Sequence, residues 1–359
     1  ALIGICALQS ASAQSTNVIN GRADGADLNT ITTAVPFLLI SPDSRSGAMG
    51  DAGVASTPDM YSMHYNASKL AFIEEDAGVS ISFAPWLKHI TNDIFLAYIS
   101  GFKKIDDMQT VGVSLRYFSL GTIQFTDINN ESLGDYSPQE FSVDAAYSRK
   151  LSENISGGVT LRYINSNLTG GIPTQSGASS SAGNSVAADI SGYFKSNTFD
   201  LGGYNSFASA GLNISNIGTK MSYTSTKERD FLPTNMKLGG ALNMELDDYN
   251  SFGFILDFNK LLVPTNPIYD ESGTEILSGK DPNVGVSGGI FQSFSDAPGY
   301  AVYDDDDEFI GIEKGSKFKE ELREFNVGGG IEYWYAKKFA LRAGFFNEHY
   351  TKGNRKFAT

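Results

Sequence analysis

The 359-residue chain has a single cysteine, Cys6, so it can close no disulfide within itself and offers no cysteine-based metal site. Histidine is equally scarce: His64, His89 and His349 are scattered without metal-ligand spacing. Positive charge is in deficit, with 27 basic against 41 acidic residues and a net charge of −14. That balance argues against nucleic acid as a partner and against attraction to an anionic lipid surface. Beyond the first residues no apolar run approaches the roughly 18 residues that a helix needs to cross a bilayer. If this chain spans a membrane, it does so with strands.

What is present begins with an apolar stretch, Ala1 to Leu8, followed by Ala11-Ser12-Ala13, an A-x-A pattern that predicts signal-peptidase cleavage after Ala13. Residues 1–13 are then the remnant of a signal peptide whose start lies upstream, and the mature protein begins near Gln14. Cys6 falls in the removed part. It is preceded by Ile5 rather than by the small residue of a lipidation site.

From Ala77 onward, segments of about ten residues alternate with period 2, the pattern of strands whose two faces meet different surroundings. Val111, Val113, Leu115 and Tyr117 share one face, and Thr110, Gly112, Ser114 and Arg116 the other. The segments 141–148 and 208–215 repeat the rule, and others lie near 77–86, 93–101, 155–164, 186–195, 235–244, 251–259, 326–336 and 339–349. Charges inside them test the phase, because a lipid-facing charge at mid-bilayer costs such barrels about 2 to 4 kcal/mol. Arg116, Asp144, Arg162, Asp189, Asp257, Glu332 and Arg342 all take the polar phase and are predicted to face the lumen. A soluble sandwich with its polar face in water would show the same phase. Tyr117, Phe141, Tyr147, Tyr163, Tyr333 and Tyr335, at strand ends in the apolar phase, favour a barrel with interfacial girdles.

Short connections at 103–109, 150–154, 196–205, 245–250 and 336–338 alternate with long polar ones at 119–139, 165–185, 217–234 and 260–325. The short ones are expected at the periplasmic end and the long ones outside the cell. Asn283 to Phe291 resembles a strand, but inserting it would move the tight 336–338 turn to the long-loop end, so it is assigned to a large extracellular excursion at 260–325. Lys317 to Glu324 is predicted to be a short amphipathic helix there. The count is eleven strands, with Arg355 to Thr359 the start of a twelfth. A closed barrel with both ends periplasmic needs an even number, and the abrupt end on a strand entry leads to the expectation that about two further strands are missing.

Ser46 to Leu70, SGAMGDAGVASTPDMYSMHYNASKL, resembles the N-terminal hatch of FadL-type outer-membrane proteins, with Ala67 where those have proline. Leu212 to Gly218, Leu232-Pro233 leading into Leu238-Gly239, and Ala340 to Phe346 extend the likeness along most of the chain. It implies an all-β transmembrane antiparallel barrel of about 14 strands (77–359) preceded by an N-terminal extension and lumenal hatch (14–76). Ser293 to Gly299, Lys319 to Glu324, Glu332 to Tyr335 and Asp257 to Thr265 are similar to the PorV (LptO) family of the type IX secretion system. That likeness implies an integral outer-membrane protein, set among lipid and lipopolysaccharide. Its implied partners are a large SprA-type translocon barrel, secreted cargo with C-terminal signal domains and the cell-surface attachment machinery. A FadL-type transporter of hydrophobic compounds is the alternative.

No catalytic, metal or cofactor residues are assigned. A hydrolase would need a serine beside His349, and nothing in the sequence places one there. The acidic run Asp304 to Glu308 lacks the spaced pattern of a calcium loop and is taken as solvated, and the Ser-Gly-rich tip from Thr174 to Asn184 as a loop. The lumenal charges are expected to pair in a filled interior, with a packed lumen and a ligand channel both open. The residues expected to meet a partner are loop apolars among polar neighbours: Ile123, Phe125, Ile128, Leu168, Ile172, Phe231 and Leu232.

Overall fold

The computed structural model describes residues 22–23, 26–86, 88, 91–126, 131–170, 181–223, 229–270, 272–304 and 309–359. Among them, twelve strands form an antiparallel meander in sequence order. They are β1 (Ala77–Pro85), β2 (Ile94–Asp106), β3 (Gln109–Leu120), β4 (Gln139–Lys150), β5 (Ile155–Asn167) and β6 (Gly183–Lys195). Then come β7 (Tyr204–Gly218), β8 (Asn235–Glu245), β9 (Asn250–Leu261), β10 (Asn326–Tyr335), β11 (Phe339–Asn347) and β12 (Lys356–Ala358). A short strand, Phe199–Leu201, pairs with β7 inside the connection that reads as a plain turn in the sequence. β1 and β12 are the sheet's edges, and no ladder joins them among the described residues. No helix in that set is long and apolar enough to cross a membrane.

The strands keep their phase, β7 as far as Ile214, and the two faces settle the choice between sandwich and barrel. The apolar face looks outward: Val79, Ile81, Leu161 and Leu341 are 74%, 73%, 68% and 73% exposed. The enclosed face carries Ser100, Thr110, Ser142, Ser148, Thr160 and Asp257, all nearly inaccessible. A soluble sandwich buries the opposite face, whereas lipid solvates an apolar exterior of this extent. The outward aromatics form two rows. Tyr117, Phe141 and Tyr163 sit near the long loops, the last two 6.2 Å apart, and Tyr147, Tyr333 and Tyr335 near the short turns.

At the short-turn end, Ala336 and Lys337 both have positive φ, the geometry of a tight hairpin that matches strand twist. The long connections fold on themselves. Residues 123–126 pair with 132–136, and the excursion between β9 and β10 contains the pairs 268–269 with 276–278 and 301–303 with 309–312. Two helices complete the excursion, α3 (Val286–Gln292) and α4 (Ser316–Arg323), following the single-turn α1 (Ser44–Gly47) and α2 (Ser62–Tyr65) of the N-terminal part. The segment 283–291, strand-like in pattern but assigned to the excursion, holds the helix 286–292: with no sheet strand beside it among the described residues, its amides bond internally, as Gly289 N does to Gly285 O.

Candidate functional site

The enclosed space is filled by the chain's own N-terminal part. Asn29 meets the long-loop end, its amide N–H donating to Thr351 O at 3.0 Å and its side chain to Asn266 O at 3.0 Å. The chain then descends past Ala34, Phe37 and Leu38, which cluster with Leu96, Phe118, Ile164 and Leu232. It passes two single-turn helices, 44–47 and 62–65, and a 3₁₀ turn, 67–72, and reaches the short-turn end at Phe72, against Tyr193. Ser46 to Leu70 therefore lies within the curve of the sheet.

Small residues allow that fit. Gly328, Gly330 and Gly344 form a patch across β10 and β11 on which Met49 and Gly50 lie; a Cβ at Gly328 would overlap Gly50 O, and one at Gly330 would come within 2.6 Å of Met49 Cα. Serines then take up the hatch's backbone groups, which have no ladder of their own. Ser148 and Ser156 hydroxyls donate to Ser68 O at 3.0 and 2.7 Å, Ser209 donates to Ala55 O at 2.7 Å, and Ser100 to Met60 O at 2.7 Å. Asn66, fully buried, donates to both Val54 O and Gly192 O at 3.0 Å.

The seven lumenal charges divide into three kinds. Arg162 bridges Asp144 at 2.7 Å and Asp189 at 3.0 Å, all three being buried. Glu332 accepts from Arg342 at 2.6 Å and from Arg45 of the hatch at 2.8 Å. Asp257 and Arg116 face backbone instead of opposite charge. The Asp257 carboxylate accepts from Gly53 N at 2.7 Å and Val54 N at 2.9 Å, and Arg116 donates to Leu38 O at 2.5 Å and to His64 Nδ1. Burial and the neighbouring guanidinium hold His64 well below the usual histidine range, so its neutral ring accepts that bond. Pairing of all seven among themselves is thus corrected: the hatch itself satisfies Asp257, Arg116 and part of Glu332.

Several residues that complete this arrangement were not singled out in the sequence. Asn216, with φ of 61°, occupies a bulge of β7, where its N–H donates to Asp189 Oδ1 at 2.8 Å and its side-chain oxygen accepts from Arg162. Lys69, fully buried, donates to Gly53 O and Ser56 Oγ, both at 2.8 Å. At the base of the excursion, Lys260 and Lys352 hold Glu320, Glu321 and Glu324 of the α4 region, Lys352 to Glu320 at 2.7 Å and Lys260 to Glu324 at 2.5 Å.

The loop residues expected at a partner surface separate. Ile123 is 45% exposed, and Leu168 and Phe231 are half-buried, with the Lys220 ammonium 3.9 Å from the Phe231 ring centroid. Leu232 is corrected: it is 1% exposed, because the following Pro233 carries the chain back into the lumen, and it packs on the N-terminal segment. Ile128, Ile172 and the Phe125 side chain lie outside the described residues, as do His89, the signal-peptide remnant, residues 174–180 of the Ser-Gly-rich tip and Asp305 to Glu308. A cleft of about 1190 Å³ opens between the N-terminal segment and the sheet's two edges, with Phe37, Ile40, Ile94, Phe118 and Phe357 in its walls.

A family model described as type IX secretion system protein PorV matches residues 23–268. No curated protein matches the chain. Among solved structures, the Pseudomonas putida toluene transporter TodX is 11% identical over 84% of this chain and 82% of that one, with a TM-score of 0.40. A TodX deltaS2S3 mutant monoaromatic hydrocarbon channel is 12% identical over 85% and 82%, with a TM-score of 0.42. A Pseudomonas aeruginosa FadL homologue is 11% identical over 92% and 91%, with a TM-score of 0.34.

Proposed function

This chain belongs to the PorV family of type IX secretion system proteins, and on that premise we propose that it associates with an SprA-type translocon barrel, receives cargo by its C-terminal signal domain and delivers it to the attachment machinery at the cell surface. The protein is an outer-membrane β-barrel component of that system. The observation that carries the shuttle reading, beside the family, is the filled lumen: the hatch is bonded to strands all along its path, so work on a folded protein domain falls to the loops and the outer wall. In the domain division that we propose, 14–76 is the extension and hatch, 77–359 the barrel, and 260–325 an extracellular excursion.

Deleting the gene tests this. Cargo bearing the C-terminal signal should remain inside the cell or be released unattached, while uptake of fatty acids and aromatic compounds continues. Normal surface delivery with lost uptake of an apolar compound would overturn the shuttle reading. That outcome belongs to the second reading, a FadL-type transporter, which the cleft beside Phe37 and Phe118 favours through its apolar walls.

A further inference from the structure

The excursion between β9 and β10 holds a charge cluster for which the secretion reading has no use. Asp296, Glu321 and Glu324 each bring a carboxylate oxygen within 4.8 Å of the other two. Asp296 and Glu324 are buried, and Glu321 is half-buried. Three such oxygens have a common centre near the 2.3 to 2.6 Å at which calcium, roughly, holds oxygen ligands.

Clustering alone decides nothing, since Lys260 Nζ already reaches Glu324 at 2.5 Å and Glu321 at 3.4 Å. Asp296 is the exception. Its Oδ2 accepts from Thr265 N at 3.1 Å, but its Oδ1 is buried with no hydrogen-bond partner, and no lysine or arginine pairs with it among the described residues. A buried carboxylate oxygen without a donor costs more than a neutral acceptor left unsatisfied. The local charge is also unbalanced: among the described residues, the ion-pair partners of Asp296, Glu320, Glu321 and Glu324 are the ammonium groups of Lys260 and Lys352. Burial and repulsion from Glu324 and Glu321 raise the Asp296 carboxyl to about 6, the same imbalance seen from the proton's side.

We propose that Asp296, with Glu321 and Glu324, binds a divalent cation of the calcium class at the base of the excursion. All the donors are oxygen, which selects a hard ion, and two positive charges would cancel the excess. Because Thr265 and Ala297 amides are bonded to these same carboxylates, the ion would tie the first turn of the excursion after β9 to α4. An affinity in the range of extracellular calcium modules, about 0.1 to 1 mM, suits an ion of the surrounding medium.

Purified protein in detergent is titrated with calcium chloride after chelator treatment, by calorimetry and by thermal melting. Binding heat and a rise of several degrees in the melting midpoint are expected for the native chain, and neither for Asp296→Asn, which keeps the bond from Thr265 N. Glu321→Gln, less buried, serves as a second variant and should weaken binding at least tenfold. Absence of calcium binding by the native protein up to about 10 mM, well above that affinity range, overturns the proposal, as does binding that survives in a folded Asp296→Asn.

Discussion

Arg45 in the hatch and Glu332 on β10 form a forked ion pair, Nε to Oε1 at 3.0 Å and Nη2 to Oε2 at 2.8 Å. The same guanidinium reaches Asp59 at 2.8 Å, so one side chain fastens two parts of the hatch to the wall. Glu332→Gln should release it at a cost of about 2 to 3 kcal/mol, less than a fully buried pair loses because Arg45 is 16% exposed. Hydrogen exchange of the 44–57 amides should quicken while the strand amides stay slow. Equal protection in both proteins would show that the hatch is held without this pair.

The glycine patch offers a steric test. Gly328→Ala and Gly344→Ala place a methyl against the backbone of Met49 and Gly50, where neither side can yield, whereas Gly240→Ala meets only Ser209 O at 3.6 Å. The first two should lower the temperature of heat modification on gels and expose the hatch to protease. The third should change neither by a measurable amount.

Lys69 predicts a pH dependence. Its ammonium is fully buried between neutral acceptors, and burial lowers it from 10.5 to about 8. Below about pH 8 the lysine is protonated whether the hatch is docked or free, and the docked state carries the full cost of a buried cation. Between about 8 and 10.5 the docked form is neutral and the free form charged, so docking strengthens as pH rises through that window. Lys69→Met should abolish the rise; thermal melts at stepped pH would show it, and a parallel slope in the variant would assign the effect to other groups.

Two loop positions and one lumenal position should behave oppositely. Ile123→Asp and Leu168→Asp, on the long loops, should weaken co-purification with a translocon-sized partner and leave heat resistance intact. Leu232→Asp buries a carboxylate in an apolar cluster and should cost the fold at least about 3 kcal/mol. Co-purification unchanged in the first two would remove these loops from the interface.

How much of this was legible in the sequence follows from which residues obey a period. Strand faces did, because lipid and lumen impose alternate preferences, and Arg116, Asp144, Arg162, Asp189, Asp257 and Glu332 all lie on the buried face. The bulge at Asn216 went unread although it left a signal: apolar positions step by two to Ile214 and then by three to Ile217, the slip that turns Asn216 toward Arg162. The hatch and loops have no such rhythm. Nothing in the order of residues says that Arg45 lies beside Glu332, some 287 positions away, or that Leu232 points inward while Phe231 does not. For helix 286–292, the alternating pattern was present but the partner strand was not.

The N-terminal segment meets the long loops at Asn29 and the short turns at Phe72, before β1 begins. That path bears on the order of assembly. A wall that closed first would have to be threaded along its whole height by a chain whose bonding groups are matched to serines already facing inward. A sheet that curls while still open avoids this, with the earliest-made residues serving as the mandrel on which later strands are laid. A bulky domain fused ahead of residue 28 would therefore emerge among the long loops, at the end of the barrel away from β1's entry.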